Sequence, residues 1–121
     1  MTDTVHSYKE LIVWQKSVRL VVEIYKLTEK YPKSETYGLI SQSRRCSVSI
    51  PSNIAEGRRR GSKKDYRQFL LIAYSSGAEL ETQIILAKEL NFATNEDFKI
   101  VDSLLDEVMK MLNKMISQLS S

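Results

Sequence analysis

The sequence predicts an all-α fold, an antiparallel up-down-up-down four-helix bundle, on three observations. Apolar residues recur at 3-4 spacing along four segments. Only four Gly and two Pro interrupt 121 residues, which favours long helices over a strand-rich chain with many turns. The links between segments are short, roughly four to six residues, and short links set sequential helices antiparallel. Hydrophobic residues make up 42% and charged residues 27%, a globular composition. No linker, repeat or low-complexity stretch divides the chain, so residues 1–121 read as a single domain.

The first helix is expected over about residues 8–30. Ser7 to Glu10 fits a capping box, with the Ser7 hydroxyl on a first-turn N–H and Glu10 reaching back. Leu11, Trp14, Val18, Val21 and Tyr25 then form one stripe. Tyr31-Pro32 stops it, because proline disfavours the helical region for the residue before it.

The second helix is expected over about residues 35–59, starting at Ser34 or Glu35 and carrying Leu39, Ile40, Val48, Ile50 and Ile54. Pro51 interrupts it. Inside a helix, proline removes a hydrogen bond and clashes with the carbonyl four residues back, at a cost of ~3 kcal/mol or more. Two readings stand: one long helix kinked near Pro51, or two short helices meeting there with Pro51 in a first turn. The kinked helix is preferred, since Ser47 and Ser49 are placed to help satisfy the freed backbone groups.

Gly57 to Gly61 reads GRRRG and forms the exit. Its glycine spacing resembles a membrane helix-dimer motif, but three arginines between the glycines rule that out. Ser62 to Asp65 is a second cap, opening a third helix over about residues 63–90. This helix carries Tyr66, Phe69, Leu70, Ala73, Gly77, Leu80, Ile84 and Ala87. Gly77 in mid-helix costs ~1 kcal/mol relative to Ala, which suggests a close helix crossing. Asn91 ends the helix and Thr94 to Asp97 starts the fourth, over about residues 95–119. Phe98, Val101, Leu105, Val108, Leu112, Met115 and Leu119 keep strict 4-3 spacing there. A second row, Ile100, Leu104, Met109, Met111 and Ile116, widens the apolar face beyond what a lone bundle needs. Surplus apolar surface of this kind predicts a homo-oligomer; the plainer reading is a broad core face.

Several function classes are disfavoured. No stretch approaches 18 uninterrupted apolar residues, so no membrane span is expected. Met1 to Glu10 lacks a basic n-region and an apolar h-region, so it does not read as a signal peptide. A single cysteine, Cys46, excludes an internal disulfide, and a cytoplasmic location is expected. A di-metal bundle needs Glu-x-x-His pairs, and a zinc site needs several Cys and His ligands. With one histidine, His6, and one cysteine the chain builds neither, so no metal or cofactor is expected. Cys46 with His6 as a nucleophile–base pair is outweighed by Cys46 as a small buried residue. No phosphate-loop or dinucleotide-binding glycine motif occurs. Glu35, Glu56, Glu79 and Glu81 read as caps, arginine partners or solvent-facing residues rather than acid–base catalysts. The chain is not expected to be an enzyme.

The charge distribution is more informative. The run Arg44 to Arg67 holds eight of the eighteen Lys and Arg residues and two acids, Glu56 and Asp65, for a net +6. Residues 1–43 carry +1 and residues 68–121 carry −4. Such polarisation suggests a polyanionic partner, RNA or DNA first; the plainer reading is a solvated helix end. The candidate nucleic-acid-binding residues are Arg44, Arg45, Arg58, Arg59, Arg60, Lys63, Lys64 and Arg67. Arg44 and Arg45 lie near mid-helix, where one of them is placed to pair with Glu35 or Glu79 instead. No aromatic residue interrupts the cluster before Tyr66, so weak sequence reading is expected.

Several segments also resemble a known family: Leu11 to Lys16, Tyr31-Pro32 with Glu35, Tyr37-Gly38-Leu39 with Gln42 and Arg44-Arg45, and above all Ser49 to Gly57, SIPSNIAEG. With Ala73, Ser76 and Glu79-Leu80-Glu81 they resemble the four-helix-bundle proteins encoded by intervening sequences in some bacterial 23S rRNA genes. The resemblance covers nearly the whole chain. It implies a non-enzymatic homopentamer, similar in fold to the accessory proteins of diversity-generating retroelements, which bind nucleic acid and a reverse transcriptase. It carries over no catalytic residue. Arg58-Arg59-Arg60 is more basic than the family's usual exit from the motif, which favours nucleic acid for this member. Two functions follow: a nucleic-acid-binding assembly factor, or a structural scaffold that presents its oligomer to a protein partner.

Overall fold

The computed structural model describes residues 7–119. Among them are four α-helices and no strand: α1 Ile12–Thr28, α2 Ser41–Arg59, α3 Lys63–Glu89 and α4 Asn95–Gln118. α1 packs against α2 and α4, and α3 packs against the same two, so the four surround one core. Leu20, Ile24, Ile50, Ile54, Leu70, Leu80, Phe98, Val108 and Leu112 are fully buried in it. His6 and its proposed pairing with Cys46 lie outside the described residues.

The first helix starts later than its cap suggests. The Ser7 hydroxyl accepts from the Lys9 N–H at 3.1 Å and caps only a 3-10 turn, Tyr8–Glu10. Leu11 is extended, and Tyr8 stacks edge-on against Trp14 at 5.3 Å. The buried face of α1 is also rotated by about one position from the expected stripe. Val13, Ser17, Leu20, Ile24 and Leu27 are buried, whereas Leu11, Trp14, Val18 and Val21 are half-buried and Tyr25 is exposed. α1 carries two apolar stripes, and periodicity alone does not choose between them.

The second segment differs most. Lys33–Glu35 forms a 3-10 turn and Thr36–Ile40 a π-helical turn before α2 begins at Ser41. Gly38 breaks the helical path there (φ −109°, ψ −117°). The Glu35 carboxylate accepts from the Leu39 N–H at 3.1 Å, so it closes this turn rather than opening an α-helix. Pro51 sits buried inside α2. The Ser47 hydroxyl donates to the Arg44 carbonyl at 2.8 Å, and Ser49 pairs with Ser76 of α3 at 2.8 Å. Both hydroxyls are thus engaged away from the carbonyl that Pro51 frees.

α3 and α4 begin and end close to expectation because their punctuation is local. Ser62 caps α3 through the Asp65 N–H at 3.1 Å. α3 ends in a Schellman motif: Asn91 takes φ 58°, Phe92 N–H reaches the Ala87 carbonyl at 3.0 Å, and Asn91 N–H reaches Lys88 at 3.1 Å. Thr94 and Asp97 close a reciprocal capping box on α4. The second apolar row of α4 is mostly absorbed by the chain's own core. Leu104 and Ile116 are buried, Met109 and Met111 pack against the core, and only Ile100 is exposed, at 39%.

Small residues bring the helices together. A Cβ on Gly57 would lie 2.6 Å from Phe69 Cβ and 3.3 Å from the Tyr66 carbonyl oxygen. At Gly77 the obstacle is the Met109 side chain of α4. Gly57→Ala should therefore lose about 1–2 kcal/mol despite its helix-propensity gain, since Phe69 Cβ is fixed to backbone. Gly77→Ala should stay within about 0.5 kcal/mol, since a thioether shifts easily. Urea midpoints of the two variants check the contrast.

The α4 cap predicts a pH dependence. The Asp97 carboxylate accepts from the Thr94 backbone N–H at 3.0 Å and hydroxyl at 2.8 Å, and pairs with Lys30 at 3.1 Å. These contacts hold its pKa down to about 2, from an ordinary 3.8. A depressed carboxylate pKa contributes stability that is complete above about pH 4 and lost as pH falls through about 2. Asp97→Asn should lower the urea midpoint at pH 7, and the gap to the native chain should close by pH 2.

Candidate nucleic-acid interface

Six of the eight candidate cations meet where α2 turns into α3. Arg58 and Arg59 occupy the last turn of α2, and Arg60 is its C-cap. Gly61 takes φ 88°, a left-handed conformation that glycine adopts at no steric cost, and reverses the chain. Lys63 and Lys64 then occupy the first turn of α3, with Arg67 a turn further on. The Gly57–Phe69 contact holds the two helix ends against each other.

Within this corner the cations differ. Lys63 and Lys64 are exposed. Arg59 lies over the Tyr8 ring at 5.7 Å. Arg60 pairs with Glu56 at 3.1 Å and lies over Phe69 at 4.9 Å. Both are solvent pairs of modest strength that leave the guanidinium edges outward. Arg58 is half-buried, and its charge offsets part of the rise that burial imposes on the Tyr66 phenol. Arg67 Nε donates to the Ile116 carbonyl at 3.2 Å, near the end of α4.

Arg44 and Arg45 are elsewhere. They precede Arg58 by 14 and 13 residues, which along a helix is about 20 Å. Arg44 does not meet Glu35 or Glu79. Its Nε donates to Thr28 Oγ1 at 2.9 Å, its NH2 to the Tyr25 carbonyl at 3.3 Å, and its guanidinium covers the Tyr25 ring at 4.4 Å. It ties α2 to the end of α1. Arg45 is exposed and, among the described residues, reaches Ser41, at 3.3 Å. The sequence segment of eight cations is thus a corner of six and two residues on another part of α2.

Sequence reasoning missed the surface around Arg45. Tyr37, carried out by the π-helical turn, is 95% exposed. A groove of about 430 Å³ runs beside it, lined by Tyr25, Ile40, Arg44, Arg45 and Val48. A second of about 520 Å³ lies on its other side, with Gln42, Cys46, Ser49, Ser76 and Glu79. Tyr37 of the unexpected π turn lines both, and no propensity signals that turn. The aromatic rings beneath the corner arginines, Tyr8 and Phe69, were equally silent in the sequence.

Among the described residues no group of three or more His, Cys, Asp or Glu is placed to hold a metal. No described helix is long and apolar enough to cross a membrane. Cys46 is half-exposed on the second groove, not a buried core residue. Burial and the neighbouring Glu79 push its pKa up to about 11, from 9.0. The flanking arginines do not activate it. Iodoacetamide should alkylate Cys46 about tenfold more slowly than an unperturbed thiol at pH 8, the smaller thiolate fraction being partly offset by greater nucleophilicity, followed by intact mass.

Residues 9–114 match the family model described as 23S rRNA-intervening sequence protein. A crystal structure of a protein of unknown function from the S23 ribosomal protein family of Bacteroides thetaiotaomicron is similar, at 25% identity and a TM-score of 0.80. The likeness covers 88% of this chain and 96% of that one. No curated protein matches the chain.

Proposed function

The chain belongs to the 23S rRNA-intervening sequence protein family, and from that premise we propose a non-enzymatic, homo-oligomeric bundle that binds RNA or DNA backbone through its α2–α3 corner. The carrying observation is the convergence of Arg58, Arg59, Arg60, Lys63, Lys64 and Arg67 on one turn between helices, a stretch whose own acids are Glu56 and Asp65. Lys63 and Lys64 also sit at the positive end of the α3 macrodipole, where a cation is disfavoured and an anion favoured. A phosphate at the corner relieves both terms at once. Arg59 and Arg60 lie over the Tyr8 and Phe69 rings, which favours contact to backbone over stacking on bases.

The finer architecture belongs to this reading. Arg44 meets Thr28, Lys88 meets Asp102, and Lys30 meets Asp97, contacts that run in opposite chain order as an up-down-up-down bundle requires. A bend of α2 near Pro51 and a cytoplasmic location are part of the same proposal. The number of subunits, five, rests on the family resemblance. In an assembly, weak contacts at several corners add through avidity.

Titration of a labelled structured RNA at several salt concentrations tests the function. The native chain should bind, with log K falling by about 0.7 to 0.9 per log unit of salt for each phosphate neutralised. Replacing Arg58, Arg59, Arg60, Lys63 and Lys64 by Ala should remove most of the affinity and flatten the slope. Equal binding by both proteins, or none by the native chain at low salt, would favour the scaffold function.

A further inference from the structure

The cavity of about 520 Å³ beside Tyr37 shares no residue with the basic corner. It has the size of a pocket for a small organic ligand. α2 lines it with Gln42, Arg45, Cys46 and Ser49, which share a face at i, i+3, i+4 and i+7, and α3 with Ser76 and Glu79. Ser49 and Ser76 are spent on each other at 2.8 Å. The Cys46 thiol bonds to Glu79, and its sulfur accepts from Gln83 Nε2 at 3.6 Å. The groups left for a ligand are the Gln42 amide, the Arg45 guanidinium, the Glu79 carboxylate and the Tyr37 ring.

These groups are held apart from one another. Arg45 rests on the Ser41 hydroxyl, and among the described residues no ion pair joins it to Glu79, although both line the same cavity. Tyr37 also differs from the rings near the other arginines. Arg44, Arg59 and Arg60 cover Tyr25, Tyr8 and Phe69, whereas Tyr37 is 95% exposed, with no cation or ring against it among the described residues. A free aromatic face, a cation without a counter-charge and a carboxylate around one cavity suit a planar ring that carries an anion and a row of donors.

We propose that this cavity binds a guanine nucleotide. The ring stacks on Tyr37, the phosphate takes the Arg45 guanidinium, and the Glu79 carboxylate accepts from the guanine N1–H and the N2 amino group together. Guanine is the base that sets two donors side by side on that edge. Adenine, cytosine and uracil each place an acceptor beside the donor, and that acceptor would face a Glu79 oxygen unpaired. A carboxylate oxygen that holds the Cys46 thiol keeps a further lone pair for the base. The raised pKa keeps Cys46 neutral, so no thiolate repels the phosphate. The cavity and the corner lie along the same two helices, with Arg45 and Arg58 about 20 Å apart. The guanine is therefore supplied free, or as an unpaired residue of an RNA whose backbone rests on the corner, and the recognition chemistry is the same.

Calorimetric titration with GMP, AMP and guanosine tests the site, and iodoacetamide alkylation of Cys46, the chain's one cysteine, places the ligand. GMP should bind about tenfold tighter than AMP. At ten times its Kd it should slow alkylation about tenfold. Glu79→Gln should abolish the preference for GMP over AMP. Arg45→Ala should weaken GMP about tenfold and leave guanosine unchanged. Tyr37→Ala should weaken both nucleotides about tenfold, and Tyr37→Phe should restore them. No binding of GMP by the native chain, equal binding of GMP and AMP, or bound GMP that leaves alkylation unchanged overturns the site. So does a Glu79→Gln chain that keeps the preference. The chain with Arg58, Arg59, Arg60, Lys63 and Lys64 replaced by Ala should bind GMP as the native chain does, which separates this site from the corner; loss of GMP there places the nucleotide on the corner and overturns the cavity. A short RNA that begins with an unpaired 5′-phosphorylated guanine distinguishes the two sources. If it outbinds both GMP and the same RNA begun with adenine, and the gain is lost with the corner, the guanine belongs to RNA; if it binds no tighter than GMP, the ligand is the free nucleotide.

Discussion

The close approach of α2 to α3 at Gly57 is the constraint on which the rest of the molecule depends. A backbone without a side chain lies against Phe69 Cβ and the Tyr66 carbonyl. Any larger residue would separate the helix ends and open the corner that gathers the arginines and lysines. The seam above it is built from similarly small groups. Ser43 and Ser47 of α2 and Ala73 and Gly77 of α3 are buried, and Ser49 joins Ser76 across the seam. Asn53 then donates to both the carbonyl and the hydroxyl of Ser49, at 2.8 and 3.0 Å. Such tight polar packing is not fully satisfied: Ser43 Oγ and Gln83 Oε1 are buried without a hydrogen-bond partner. Those two atoms mark where close packing took precedence over complete pairing.

What was legible in the sequence divides along the same physical line. α3 and α4 were readable because their ends are set by residues within one turn: Ser62 with Asp65, Asn91 in a left-handed conformation, Thr94 with Asp97. The start of α1 was not, because Tyr8 stacking on Trp14 turns the chain at Leu11 and no local signal announces it. The start of α2 was misplaced because Glu35 caps a π turn around Gly38 instead of an α-helix. The stripe chosen on α1 was off by one position because both faces of that helix are apolar. In the candidate interface, six of the eight cations singled out by charge density meet at the corner, and Arg44 and Arg45 sit elsewhere on α2. A helix carries residues 14 apart to different places, and Arg44 spends its donors on Thr28 and the Tyr25 carbonyl.

Charge is also divided between the two ends of the bundle. The corner, residues 56–67, holds six Lys and Arg against Glu56 and Asp65, a net +4, and residues 79–107, which make the late part of α3 and the early part of α4, carry −6. A molecule charged this way orients in the field of a polyanion before any contact forms, basic corner first.

Local electrostatics at the helix starts sharpen the point. α4 opens with Glu96 and Asp97, and Asp97 is tied to Thr94 and Lys30, as the positive end of a macrodipole favours. α3 keeps an acid, Asp65, at the third position as α4 does, but opens with Lys63 and Lys64 where α4 has Asn95 and Glu96. One chain follows the rule at one helix and breaks it at the other. The break comes where neither lysine is needed for packing, since both are exposed. A local rule broken with no structural gain points to a requirement outside the fold, and an anion is the partner that would turn this arrangement from costly to favourable.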